Sequence, residues 1–433
     1  MKFRREVSMK KNLLSLSILT LSVMGLVGCN SNNNNNSSTV EAPKYTITLS
    51  CSGENREITL QLAERFKATS EAYSGLTFDY REIGEDKVDS DVADWTTGPD
   101  VYSYASDKII NLFAKGAMSE VPEDYLPQIE AMGSGAAGAA KFAGKTLAYP
   151  YDGGNGYFLY YNKNLLTAED VSSIEGLLAK ATTLGMKVAY PLETAYYSMG
   201  LLFTFGADWQ FTTNSQGAVT KITADFDGDK GIKAGKALVN IMTNSAWQNS
   251  QGAPTGQDST VGEGEAAVTT KIVACVDGTW NATQYKEAMG DAYACTKLPT
   301  VTVDGETKNL SSFLGYKLFG VNPQTSSGDA RRLSICHALA NYLVSKDAQD
   351  ARFDARTTVP TNREVLALDK VQAMEHIAAI GEQAQYAHAQ GALPDTTWTA
   401  PTDLSAAVKD KKMTVENVGT YMANFNTAIT TLK

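Results

Sequence analysis

Ala143-Gly144-Lys145-Thr146-Leu147-Ala148-Tyr149-Pro150-Tyr151-Asp152-Gly153-Gly154-Asn155-Gly156-Tyr157-Phe158-Leu159-Tyr160-Tyr161-Asn162-Lys163 is the stretch from which the fold is best read. Two short runs in it, residues 146–149 and 158–161, are apolar and aromatic, as strands are. Outward from them, strand and helix signals alternate. Upstream, Tyr45-Thr46-Ile47-Thr48-Leu49 alternates with period two, and Ile58, Leu62 and Phe66 fall at helical spacing. Val101 and Tyr102 follow a Gly98-Pro99 turn as a further strand, and residues 109–113 read as a helix ending near Gly116. Downstream, residues 174–184 read as a helix, 187–190 and 266–276 as strands, and 330–344 as a helix, and roughly the last 70 residues read as mostly helical. This alternation predicts α/β layers with mostly parallel sheets. There is no internal repeat.

The 433 residues suffice for two or three domains. With 38 Lys+Arg against 48 Asp+Glu and a net charge of −10, no basic face is available for nucleic acid. Three histidines argue against a His-ligated metal enzyme or a His-based triad. Tyrosine, at 20 residues, outnumbers Phe (14) and Trp (5), which suits surfaces that are apolar on one side and wet on the other.

Lys2, Arg4, Arg5, Lys10 and Lys11 precede an apolar run over residues 13–27, too short for a membrane span of about 20 residues but fitting a signal-peptide core. Met9 is an alternative start. The run closes on Leu26-Val27-Gly28-Cys29, which resembles the bacterial lipobox and makes Cys29 the expected lipidation site. Residues 1–28 are then a signal peptide and 29–42, rich in Asn and Ser, a flexible tether. Acyl chains on Cys29 would hold the protein at the outer face of the membrane. Of the remaining cysteines, Cys275 and Cys295 are the expected disulfide pair if one forms, and Cys336 is expected as a buried thiol.

Three motif-like stretches fail on context. Residues 139–146 fit a relaxed phosphate loop, but strand and helix come in the wrong order around them. Gly262-Glu263-Gly264-Glu265-Ala266-Ala267 imitates a dinucleotide fingerprint, yet no strand precedes it and its acids would repel a pyrophosphate. Asp225-Phe226-Asp227-Gly228-Asp229 opens like a calcium loop, but Lys230 and Lys236 stand where the turn glycine and bidentate acid belong, so it reads as a helix-capping loop. Neither Gly-x-Ser-x-Gly nor His-Glu-x-x-His occurs, and no enzyme activity, cofactor or metal is expected.

Five segments in order resemble the family-1 extracellular solute-binding proteins, the group containing the maltose/maltodextrin-binding protein. They are Thr97-Gly98-Pro99-Asp100 with the residues to Asp107; residues 143–150; residues 155–163; Gly264-Glu265-Ala266-Ala267-Val268 with Asp277-Gly278-Thr279-Trp280-Asn281; and Asn341-Tyr342-Leu343 with Asp347-Ala348-Gln349. The resemblance implies a periplasmic-binding-protein type II-like α/β fold. Its two lobes are expected over residues 43–151 with 314–358, and 152–313 with 359–433. They meet at a multi-crossover hinge near Tyr151, Phe313 and residues 357–360, with a ligand cleft between them. It implies capture of a carbohydrate, such as a maltodextrin, by a monomer that delivers it to an ABC transporter permease.

A sugar presents an apolar face and a rim of hydroxyls, so its site needs aromatic platforms with carboxylates and amides. The resemblance places such groups at Glu54, Asn55, Tyr104, Asp107, Glu193, Tyr196 or Tyr197, and Trp280, with Trp398 as a further platform. The chain departs from the maltodextrin pattern at residues 151–156, which brings in Asp152, Asn155 and Tyr157 as expected contacts. A receptor for another small solute, or a surface glycosidase using Asp107 and Glu193 as acid and base, are the alternatives.

Overall fold

The computed structural model describes residues 42–214, 218–261, 268–391, 393 and 396–432. The signal peptide, Cys29, all but the end of the tether, and residues 262–267 of the Gly-Glu-Ala-Ala motif lie outside them.

One large sheet runs through the molecule. Its strands, in chain order, are β1 (Thr46–Cys51), β2 (Thr77–Glu82), β3 (Val101–Ala105), β4 (Ala148–Asn162), β5 (Lys187–Ala189), β6 (Trp247–Gln248), β7 (Val268–Gly278), β8 (Tyr293–Thr296), β9 (Phe313–Val321) and β10 (His388–Ala389). The spatial order is β6-β5-β7-β4-β9-β3-β1-β2, with β8 beside β4, β10 beside β9, and an eleventh, short strand, Asp258–Val261, beside β7. In β1 the period-two pattern buries Ile47 and Leu49, and the following helix, Arg56–Lys67, lays Ile58, Leu62 and Phe66 onto the sheet.

The sheet is less uniformly parallel than the alternation predicts. Its wings are parallel, β2-β1-β3 on one side and β7-β5-β6 on the other. Its centre is antiparallel, because β9 runs against both β3 and β4, and β4 against β7. The central strands carry the chain from one half of the molecule to the other and back, so they must oppose each other.

The two strand signals around Asp152-Gly153-Gly154-Asn155-Gly156 belong to one strand, β4. At about 3.3 Å per residue it is long enough to serve both halves. The first part pairs with β9 from Ala148 to Gly156, the second with β7 and β8 from Tyr157 to Asn162. Its glycines are not a turn. A Cβ on Gly154 would sit 2.5 Å from Val359 Cγ2, and one on Gly156 would sit 2.8 Å from the Phe313 carbonyl oxygen. They are small because other segments cross against them. One is the chain near residue 359: Gly153 N–H donates to Val359 O at 2.8 Å, and Asp152 pairs with Pro360.

The buried side chains form two large cores. One gathers Ile47, Leu62, Val101, Tyr149, Tyr151, Phe319 and Leu339; the other gathers Tyr157, Leu177, Val188, Leu238, Phe313, Leu404 and Phe425. The core membership therefore changes along β4 between Tyr151 and Tyr157, and along β9 between Phe313 and Leu318.

Cys275 and Cys295, the pair named for a disulfide if one forms, do not form one. Both residues face Tyr160 in register, Cys275 from β7 on one side of β4 and Cys295 from β8 on the other. Two strand spacings separate their Cα atoms by about 9–10 Å, beyond the reach of a disulfide. Both thiols are free, as is Cys336, which is buried in the first core.

Candidate functional site

A cavity of about 590 Å³ opens between the two halves of the sheet, where the loops that follow the strands converge. Such crevices at strand ends are where open α/β sheets hold ligands. Its first wall is polar. Ser52 and Glu54 come from the turn after β1, Glu85 and Asp86 from the loop after β2, and Asp107 and Lys108 from the turn Ser106–Lys108 after β3. The opposite wall is aromatic. Tyr196 and Tyr197 open the helix Ala195–Leu202, Trp280 sits in the turn Thr279–Asn281 after β7, and Trp398 belongs to the helix Thr396–Lys409. Asn155 on β4, Lys317 on β9 and Gln390 after β10 join the two walls.

The aromatic wall is braced from behind. Tyr196 stacks on Phe313 with centroids 5.6 Å apart, meets Tyr157 edge-on at 5.1 Å, and lies 6.5 Å from Trp280. The Tyr196 hydroxyl donates to the Asn155 carbonyl at 3.2 Å. Trp280 is half-buried and rests on the bare backbone of Gly278, where a Cβ would come within 2.2 Å of the indole ring. Phe313 also supports Trp398, edge-on at 5.7 Å. Rings fixed this way present flat faces at little entropic cost.

Charges on the polar wall are held by local donors. Oε1 of Glu85 accepts from Ser103 at 2.9 Å, Ser52 at 3.0 Å, and Asn55 and Tyr151 at 3.3 Å. Burial alone would raise this carboxyl, but the Lys317 charge and the hydroxyl donors outweigh burial and hold it below the ordinary glutamate range. Asp107 goes the other way: burial pushes it up to about 7, with the nearby Lys108 ammonium, 3.6 Å away, only partly opposing. Gln390 ties the walls together. Its Nε2 donates to Asp107 Oδ1 at 2.9 Å, and its Oε1 accepts from Asn155 Nδ2 at 2.8 Å.

Of the residues singled out from sequence, Glu54, Asp107, Asn155, Tyr196, Trp280 and Trp398 line the cavity, as does Tyr197. The others stand behind or beside it. Asn55 is buried behind Glu85, donating to it and to Ser52. Tyr104 is fully buried against Tyr102 in the first core. Asp152 accepts from the backbone of Gly154 and Val359 and so fastens the crossing segments. Tyr157 is fully buried, its hydroxyl shared between the carbonyls of Tyr196 and Tyr197. Glu193 is ion-paired with Lys409 at 2.6 Å and is not part of the lining, so the Asp107–Glu193 pair of the glycosidase alternative does not face one cavity. Glu85, Lys317 and Gln390 were not legible. A lysine inside the otherwise apolar run of β9, Phe313–Val321, was the one available signal.

The model of the bacterial extracellular solute-binding proteins matches residues 61–379. The chain belongs to this family. No curated protein matches this solute-binding protein by sequence. Among solved structures, one described as being with acarbose is 25% identical, with a TM-score of 0.75 over 90% of this chain and 99% of the other. A maltodextrin-binding protein, MalE1 from L. casei BL23 without ligand, is 20% identical, with a TM-score of 0.73 over 90% of this chain and 100% of its own. The maltose-binding periplasmic protein MalE from Listeria monocytogenes, in complex with maltose, is 19% identical, with a TM-score of 0.64 over 88% and 97%. The fold of this solute-binding protein is thus the two-lobed type II periplasmic-binding-protein architecture. Among the described residues no helix is long and apolar enough to cross a membrane.

Proposed function

We propose that this solute-binding protein captures a carbohydrate, such as a maltodextrin, in the cavity between its lobes and delivers it to an ABC transporter permease without altering it. The observation that carries the reading is the opposition of Tyr196, Trp280 and Trp398 to Glu54 and Asp107 across one cavity, with Asn155 where the two walls meet. The aromatic faces suit the C–H face of a pyranose, and the carboxylates and amide suit its hydroxyl rim. Structural likeness to proteins described with maltose and with acarbose supports the same ligand class.

In this reading Glu54, Asp107, Asn155, Tyr196, Trp280 and Trp398 touch the sugar, while Asn55, Tyr104, Asp152 and Tyr157 hold those contacts in place. The lobes divide along β4 and β9 and near residues 357–360. Ligand contacts to both lobes then favour the closed form. Lipidation at Cys29 anchors the receptor beside its permease, as the sequence Leu26-Val27-Gly28-Cys29 suggests.

Titration calorimetry against mono- and oligosaccharides tests the ligand class, and chromatography of the recovered sugar tests the absence of turnover. Saturable binding with the sugar intact is expected. Binding of a different solute with no glycan bound, or cleavage of the glycan, would overturn it. Globomycin-sensitive processing and membrane release by Cys29→Ser test the anchor.

A further inference from the structure

Lys317 is the unexpected group in the cavity. It lies on β9, a strand whose other residues are apolar, aromatic or glycine, and it is 8% exposed. Two carboxylates influence it, Glu85 and Asp152, with Glu54 farther down in effect. Burial alone would lower its pKa, but these charges outweigh burial and keep the ammonium charged. Yet its Nζ makes no hydrogen bond and no ion pair to any of the described residues, and it faces the cavity. The side chain is nine-tenths buried, and its ammonium, with three donors and no partner among the described residues, is presented to the cavity, where a ligand can take it up. Mere neutralisation of Glu85 and Asp152 would be served better by direct ion pairs.

Glu85 has the complementary form. It is 6% exposed and lines the same cavity, and every side-chain hydrogen bond recorded for it among the described residues lands on Oε1. Oε2 is left as an acceptor. A donor and an acceptor that line one cavity and feel each other's charge match a pair of neighbouring hydroxyls, each of which both donates and accepts. The surrounding charge narrows the ligand further. Among the described lining residues, Glu54, Glu85, Asp86 and Asp107 outnumber the cations Lys108 and Lys317, so a carboxylated or phosphorylated sugar would meet a net negative lining.

We propose that Lys317 and Glu85 read two neighbouring hydroxyls of a neutral glycan, the ammonium donating to one hydroxyl oxygen while Glu85 Oε2 accepts from the other. This rests on the carbohydrate reading above and adds to it two specificity-determining contacts and a preference for uncharged sugars.

The test titrates wild type, Lys317→Met, Lys317→Arg and Glu85→Gln with maltotetraose, its monodeoxy analogues, and oligogalacturonate, after circular dichroism and melting have verified folding. If maltotetraose does not bind wild type, the tightest neutral glycan of a broad panel and its deoxy series replace it. Hydrogen bonds to charged groups predict that Lys317→Met weakens binding roughly ten- to a hundredfold, with partial recovery in Lys317→Arg. One monodeoxy analogue should lose no further affinity in Lys317→Met, and an adjacent one none in Glu85→Gln, because the partner hydroxyl is already missing. Oligogalacturonate should bind wild type far more weakly than the neutral glycan. A folded Lys317→Met with wild-type affinity overturns the inference and leaves the sugar reading intact. So does a loss shared equally by every deoxy analogue, which would mark a purely structural lysine. Tight oligogalacturonate binding overturns the neutral preference, and no glycan binding at all overturns both readings.

Discussion

Gly278→Ala separates the aromatic platform from the fold. Gly278 has φ −92° and ψ 178°, extended values that alanine adopts without strain, so the backbone of β7 has no reason to change. The added methyl would lie 2.2 Å from Cη2 and Cζ3 of Trp280 and 2.4 Å from its Cε3. Carbon atoms pack at about 3.5–4.0 Å, so the indole must retreat by roughly 1.3–1.8 Å. Because Trp280 is only half-buried, it has room to swing, and the stability cost should fall at or below the ~1–3 kcal/mol typical of overpacking. The cost to binding is larger. A sugar face stacked on the ring removes roughly 100 Å² of apolar surface from water, ~2.5 kcal/mol at about 25 cal/mol per Å², or on the order of seventyfold in Kd. Calorimetry on the best-binding oligosaccharide, with a melting curve for each protein, measures both effects. The expected result is a folded variant that binds more than tenfold more weakly, with Trp280→Ala weakened to a similar extent. Wild-type affinity in a folded Gly278→Ala chain, or in Trp280→Ala, would refute the stacking role.

Three further outcomes follow from groups around the site and in the first core. Asp107, with a folded pKa of about 7 against 3.8 ordinarily, stabilises the fold most when protonated and loses that contribution as pH rises from about 4 through 7. Asp107→Asn should therefore gain in melting temperature relative to wild type between pH 5 and pH 8, and a difference that stays constant would contradict the assignment. His337 is held neutral by burial, its pKa lowered to about 4, with Tyr149 on Nδ1 at 2.8 Å and Ser119 on Nε2 at 2.9 Å. Its contribution is complete above about pH 6.5 and fades as pH falls towards 4, so wild type should lose stability over that range more steeply than His337→Gln, as read by urea midpoints at each pH. Gln390→Ala leaves Asp107 Oδ1 and Asn155 Nδ2 without this shared partner, which should cost ~1–3 kcal/mol in urea unfolding and weaken glycan binding; an unchanged midpoint would mean that water replaces the amide fully.

Local periodicity made the layers of the fold legible. Ile47 and Leu49, then Ile58, Leu62 and Phe66, mark strand and helix within a few residues because each pattern depends only on which face is buried. The long β4 was not legible as one strand, because glycine signals a turn in sequence equally well when its real purpose is close crossing with Val359 and Phe313. Nor does spacing separate Cys275 and Cys295 from a bonded pair; only the intervening β4 does. Trp280 could be found because Gly278-Thr279-Trp280 is local, whereas Glu85, Lys317 and Gln390 meet only through the crossovers. Tyrosine abundance pointed to ligand surfaces, but many of these rings are core. Tyr102, Tyr149, Tyr151 and Tyr160 are almost fully buried with hydroxyls bonded to Ala117, His337, Ser103 and Gly278. A tyrosine can be buried whole once its hydroxyl finds a partner, and composition alone does not reveal that partner.

The capture of a sugar without chemistry is tested most directly by isothermal titration of the protein with a panel of neutral mono- and oligosaccharides, followed by chromatography of the recovered ligand. A sugar receptor gives one saturable site for at least one glycan and returns that glycan intact. A flat titration across the panel alongside tight binding of an unrelated solute, or a shortened glycan in the recovered fraction, would contradict it.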